Sequence, residues 1–174
     1  MNFELTPAEE QRYAELQQLA LDFARRGSVG ELTSMLDHGL PVNLSDLKGN
    51  SLLMLACYHG QEELVRDLVS RGARVDEQNH RGQTPLGGAA FKGYAGIVRL
   101  LLEAGADARA DQGNGATPVM FAAMFGRTEV VEILRRHASA GAGRDRFGAI
   151  AAALAQVTAM IRRLIPRGAV QRGR

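Results

Sequence analysis

The chain has 174 residues, of which 45% are hydrophobic and 23% are charged, a composition typical of a globular protein and not of a disordered one. Its formal charge of +2 is unevenly spread: residues 1–138 carry 14 basic and 18 acidic side chains, or −4, whereas residues 139–174 carry 7 arginines and one acid, or +6. A single cysteine, no visible secretory signal and no apolar run of about 18 residues exclude an intramolecular disulfide and predict a cytoplasmic protein without a membrane span.

The first predicted element is a helix that begins just after Thr6. The Thr6 hydroxyl is placed to cap the helix, Pro7 suits its first position, and Glu9 completes a capping box. Apolar residues then follow helical spacing as far as Phe23, and Gly27 marks the end of the helix.

From residue 45 onward the sequence repeats with a period of 33 residues. The recurring residues are Gly49, Gly82 and Gly115; Ser51, Thr84 and Thr117; Ala56, Ala89 and Ala122; Gly60, Gly93 and Gly126; and Leu68, Leu101 and Leu134. Self-similarity at this period is typical of a stacked repeat protein. Gly27 and Gly39 lie one period before Gly60 and Gly72, so the N-terminal segment is predicted to be a degenerate first unit.

Each clear unit predicts a turn followed by two helices. Ser51, Thr84 and Thr117 are placed to cap a short helix that ends at the next recurring glycine. Longer helices are predicted over 61–71, 94–104 and 127–137, the last stopping at Ala138. The small residues Ala90 and Ala123, and Cys57 in the same register, are expected to face inward.

The unit resembles the ankyrin repeat. The resemblance implies an all-α solenoid of about four helix–turn–helix units with β-turn fingers, covering 12–44, 45–77, 78–110 and 111–138 within a domain of residues 1–138. The chain departs from the family in one respect: the His of the usual Thr-Pro-Leu-His motif is replaced by Met54, Gly87 and Met120. The hydrogen bonds which that His makes between neighbouring turns are therefore not expected here.

The same resemblance implies that variable residues on the inner helices and finger tips contact a partner protein on a concave groove. These candidates are Leu47, Lys48, Asn50, Tyr58, His59, His80, Arg81, Gln83, Phe91, Lys92, Asn114, Ala116, Met124 and Phe125. Aromatic residues, Met and Arg are also the types that dominate interface cores. The alternative is that Tyr58, Phe91 and Met124 only fill gaps between adjacent units.

No pattern in the chain indicates catalysis, a metal or a cofactor. None of the four histidines has the spacing of a helical metal pair, and Gly113-Asn114-Gly115 lies at a repeat turn and lacks the context of a phosphate loop. We therefore expect a non-catalytic module with no small-molecule substrate, which binds another protein as an accessory, inhibitory or stabilising subunit.

Residues 139–174 are predicted to form a linker and a basic amphipathic C-terminal helix, with an apolar stripe from Ile150 to Leu164. This tail could cover the last repeat, bind an anionic membrane or acidic surface through residues 144–174, or pair with a second copy. An alternative function follows, that of a peripheral membrane or nucleic-acid adaptor localised by the tail. The tail lacks a recognisable nucleic-acid-binding motif, which argues against nucleic acid itself.

Overall fold

The fold is that of a computed structural model, which describes residues 6–113 and 115–142. The helices are α1 Pro7–Arg26, α2 Val29–Asp37, α3 Leu52–His59, α4 Glu62–Ser70, α5 Pro85–Lys92, α6 Ala95–Glu103, α7 Pro118–Met124 and α8 Thr128–Ala142. Within these residues the only β-structure is an isolated bridge between Ser45 and Ser51, so the all-α prediction is confirmed. The chain divides into two compact units, Met1–Arg135 and Arg136–Arg174, and α8 crosses this boundary.

Most helix ends follow the predicted chemistry. The Thr6 hydroxyl accepts a hydrogen bond from the Glu9 N–H at 3.4 Å, and the Thr6 N–H donates to the Glu9 carboxylate at 2.8 Å, which forms the capping box. Ser51 and Thr84 accept bonds from backbone N–H groups three residues later, each at 3.2 Å. Gly60, with a φ of 79°, ends α3 in the left-handed conformation.

Three predictions about the last repeat are wrong. Thr117 makes no capping hydrogen bond, and α7 ends at Met124, so that Phe125 and not Gly126 is its C-terminal cap. In addition, α8 does not stop at Ala138 but continues through Ala142. The reason is local: Ala138 stands where the preceding units have Gly72 and Gly105, and alanine favours a continuing helix whereas glycine ends one. The rest of the predicted linker and the C-terminal helix lie outside the described residues.

The helix pairs stack in two layers. The shorter, inner helices α3, α5 and α7 pack side by side after α1, while α2, α4 and α6 form the outer layer. Ala56, Ala89 and Ala122 are fully buried between inner helices, where their small size permits close approach. Leu64, Leu68, Leu101 and Leu134, from the outer helices, complete one continuous core with them.

Asparagine and glutamine connect the fingers in place of the missing His. Asn79 donates from its side chain to the side-chain oxygen Oδ1 of Asn50 at 2.8 Å, and the His80 N–H donates to the Lys48 backbone carbonyl at 3.0 Å. Gln112 is buried and accepts from the Thr84 N–H at 2.9 Å. The turns are therefore joined by hydrogen bonds although the expected histidines are absent.

Candidate partner-binding surface

Three aromatic rings from successive repeats meet at the ends of the inner helices. Tyr58 and Phe91 are stacked, with ring centroids 6.1 Å apart and planes inclined by 10°, and Phe91 meets Phe125 edge to face at 4.4 Å. Both arrangements are favourable geometries for aromatic pairs. We call Tyr58, Phe91 and Phe125 the aromatic row.

The rings contact one another yet keep much of their surface open. Tyr58 is 40% exposed and Phe125 is 45% exposed, while Phe91, between them, is partly buried. Met124 is 70% exposed, so the alternative that it fills a gap between units is wrong. Ala123 is also exposed and does not face inward as expected, because α7 is the last inner helix and has no further inner helix among the described residues against its outer side.

Basic side chains border the aromatic row. The Lys92 ammonium lies 4.7 Å from the centroid of the Tyr58 ring, a cation–π contact, and the His59 ring meets Tyr58 edge on at 5.5 Å. The pKa of His59 is lowered by partial desolvation of its ring and by the nearby charges of Arg25 and Lys92. Its imidazole is therefore a neutral donor and acceptor at pH 7.

The predicted finger residues differ in solvent exposure and in whether their side chains are already hydrogen-bonded. Leu47 is 99% exposed, and Lys48, His80 and Arg81 are exposed as well. Three of the other predicted site residues are less available. The side chains of Asn50 and Gln83 are both bonded to Asn79, Ala116 is only partly exposed, and Asn114 lies outside the described residues.

The family follows from comparison of the whole chain with known proteins. A family model for ankyrin repeats in three copies matches residues 19–112 and again residues 53–146. The chain belongs to the ankyrin repeat family. A Pseudomonas aeruginosa protein whose name assigns it to the ankyrin repeat proteins is 53% identical over 45 residues. That match covers 26% of this chain and 26% of the relative, so the chain spans about a quarter of the length of the protein that it matches.

Ankyrin repeats generally mediate protein–protein interaction, and the family is typically non-catalytic. The predicted class of function is confirmed at that level. Among the described residues, no three His, Cys, Asp or Glu side chains are grouped so that they could hold a metal ion. Cys57 is fully buried and burial raises the pKa of its thiol, which keeps it an unreactive part of the ankyrin core. No helix in the described ranges is long and apolar enough to cross a bilayer.

Sequence reasoning missed the part that the first ankyrin repeat plays in this surface. Arg25 bonds to Asp22 at 2.7 Å, lies 3.6 Å from the Asp46 carboxylate at the base of the first finger, and adds its charge to the environment of His59. The period could have revealed this, because Arg25 and Arg26 stand one period before Tyr58 and His59. The degenerate start of the repeat hid the correspondence.

Proposed function

We propose that this ankyrin repeat protein is a non-catalytic accessory, inhibitory or stabilising subunit which binds one partner protein on its concave groove, along the aromatic row. The observation that carries the proposal is that Tyr58, Phe91 and Phe125 form a continuous row across three repeats while each retains exposed surface. Aromatic anchors beside a rim of polar residues are the usual composition of an interface hot spot.

The size of the stack fits this role. A standard interface buries about 800 Å² on each partner, and four repeats with their fingers offer a surface of that order. Leu47, Lys48, His80 and Arg81 project from the fingers and would set specificity at the edge of the contact.

The test is capture of a partner by the tagged full-length chain, compared with the double variant Phe91→Ala, Phe125→Ala. Tyr13→Ala is the matched control, because Tyr13 on α1 is 44% exposed and lies away from the row. We expect a specific partner to be lost with the double variant and kept with the control. Equal capture by all three proteins, with unchanged circular dichroism, would remove the aromatic row from the function.

The charge of residues 139–174 supports a second candidate, a peripheral adaptor localised by its basic tail. The full chain would then bind vesicles containing phosphatidylserine, or a DNA duplex, with an affinity that falls as salt rises. The variant Arg162→Gln, Arg163→Gln, Arg167→Gln should lose that binding. Vesicle and DNA binding that is absent at low salt would exclude this candidate.

A further inference from the structure

We infer that the segment bound by the aromatic row is acidic, presenting Asp or Glu carboxylates next to an apolar side chain. This inference rests on the proposed function and adds to it the chemical class of the partner. Its basis is the charge at the ends of the inner helices. Arg26, His59 and Lys92 occupy the same position in three successive units, and Phe125 takes that position in the fourth. We call Arg26 and Lys92 the row cations; His59, between them in this series, is the neutral donor and acceptor described above.

The row cations lack acidic partners within the part of the chain that the structure describes. Neither of the two forms an ion pair there, and the charges that act on His59 are both positive. Asp46, the carboxylate at the nearest finger, is already occupied, since it accepts from the Lys48 and Asn50 N–H groups at 2.9 Å each and faces Arg25.

The outer helices show the opposite arrangement. Arg66 pairs with Glu62 at 3.2 Å, and Arg99 on α6 pairs with Glu129 on α8 at 2.8 Å. Arg71 bonds to both Asp37 and Asp67. These three arginines of the outer layer are therefore paired with acids, whereas Arg26 and Lys92 keep their positive charge available in a body whose net charge is −4. The row cations are therefore not explained by a basic composition of the domain.

The helix dipole does not account for this distribution. Cations near a helix C-terminus are stabilising by about 0.3–1 kcal/mol, and any helix of the stack would benefit. Yet α1, α3 and α5 have basic residues in the last turn, whereas α2, α4 and α6 have none. Among the helices of the inner layer, α1, α3 and α5 carry them, and α7 has Phe125 at the corresponding position. A function at that face explains the difference, and an electrostatic need common to all helices does not.

Aromatic rings and cations together could also bind single-stranded nucleic acid by stacking and phosphate contacts. A polypeptide fits the observations better for two reasons. The rings are stacked on or wedged against each other, so they offer edges and partial faces and no gap for a base. The exposed side chains of Leu47 and Met124 lie in the predicted site, and these apolar groups would make no favourable contact with a phosphate backbone. Charge complementarity of this kind determines which partner binds, and how fast, more than it adds to affinity.

The experiment is selection of a displayed library of random 16-residue peptides on the full-length chain, followed by affinity measurement on the selected peptides. We expect enrichment of Asp and Glu beside an aromatic or aliphatic residue. The variant Arg26→Gln, Lys92→Gln should bind these peptides about tenfold or more weakly and with less dependence on salt. The matched control Arg66→Gln, Arg99→Gln loses two cations from the outer helices and should bind as the wild type does.

Each outcome decides between the two proposals. Peptides that need Phe91 but show no acidic bias, or that bind the Arg26→Gln, Lys92→Gln variant normally, would overturn the acidic partner and leave the proposed function standing. A selection that yields no peptide sensitive to Phe91→Ala would count against the proposed function and the inference together. Binding of a 20-residue oligothymidylate that competes with the peptides would reassign the row cations to nucleic acid.

Discussion

Gln112 reaches from the last finger to Thr84 at the start of α5 and bonds to it twice over. Its carbonyl oxygen accepts from the Thr84 N–H at 2.9 Å, and its amide nitrogen donates to the Thr84 hydroxyl at 3.0 Å. The same amide also donates to the Ala110 carbonyl at 2.9 Å. The carboxamide lies where a side chain at Gly87 would otherwise project, which explains a glycine inside a helix.

Gly87 and Gly88 are therefore expected to respond in opposite ways to alanine. Gly87→Ala would place a methyl group against the Gln112 carboxamide and break its bonds to Thr84, which costs about 1–3 kcal/mol of unfolding free energy. Gly88→Ala meets only the Tyr58 side chain at an ordinary 3.8 Å and should stabilise by about 0.5–1 kcal/mol. Urea denaturation of both variants checks this, and equal shifts in the midpoint would contradict the account of Gly87.

Thr84 and Thr117 occupy the same repeat position but differ in what they bond. Thr84→Val would lose the helix cap and the bond between the Thr84 hydroxyl and Gln112, at about 1–3 kcal/mol. The Thr117 hydroxyl is buried and finds no partner among the described residues, so Thr117→Val should be neutral or slightly stabilising. Thermal melts of the two isosteric variants give the comparison; a large loss for Thr117→Val would show that its hydroxyl is in fact bonded.

Packing between inner helices predicts a third contrast. Ala89 is fully buried on α5, between α3 and α7, and Ala89→Leu should destabilise by about 1–3 kcal/mol and loosen the coupling between repeats. Ala123 on α7 is exposed, and Ala123→Leu should change stability by no more than about 0.5 kcal/mol. A single unfolding transition at an unchanged temperature for Ala89→Leu would disprove the coupling.

The buried thiol of Cys57 predicts a loss of stability at alkaline pH. Burial raises its pKa, so the folded state keeps the thiol proton while the unfolded chain releases it above a pH of about 8.5. The free energy of unfolding should then fall as pH rises, by up to about 1.4 kcal/mol per pH unit from this group. Cys57→Ala, which copies Ala90 one repeat later, should have a smaller slope, measured by urea denaturation from pH 8 to pH 10.5. Identical slopes would argue against a buried thiol.

The lowered pKa of His59 reports on the burial of its ring and on the charge of Lys92 beside the aromatic row. Since the folded state binds the proton less readily than the unfolded chain, stability should decrease as pH falls below the unfolded value of about 6.5. Lys92→Met removes one repelling charge and should raise the pKa of His59, followed by NMR titration of the ring. Lys48→Met, which removes a charge that does not act on His59, is the control. If the pKa of His59 were the same in both variants, the charge of Lys92 would not act on His59.

The 33-residue period was sufficient to predict most of the fold. Stacking forces every unit to keep its glycines, caps and small buried residues in register, so the caps at Ser51 and Thr84 could be predicted from the period. The first helix was predicted separately, from the capping box at Thr6. The wrong predictions concern the last repeat, where, in the part of the chain that the structure describes, a neighbouring repeat is missing or the repeat pattern is broken. Thr117 and the end of α8 belong to the last repeat, whose outer side has no following repeat among the described residues to impose the common geometry. The cytoplasmic location, the domain boundary near residue 138 and the role of the tail stay predictions.

The sequence by itself determined the family, the number of helix pairs and which residues were free to vary. It did so because a local pattern that repeats in register can be recognised without knowing the long-range contacts. Only the tertiary structure decided that the rings of Tyr58, Phe91 and Phe125 meet, that Gln112 replaces the missing histidine, and that Lys92 lies over Tyr58. These contacts join residues about one repeat apart, and they depend on how closely neighbouring helices approach, which small buried side chains such as Ala56 and Ala89 set.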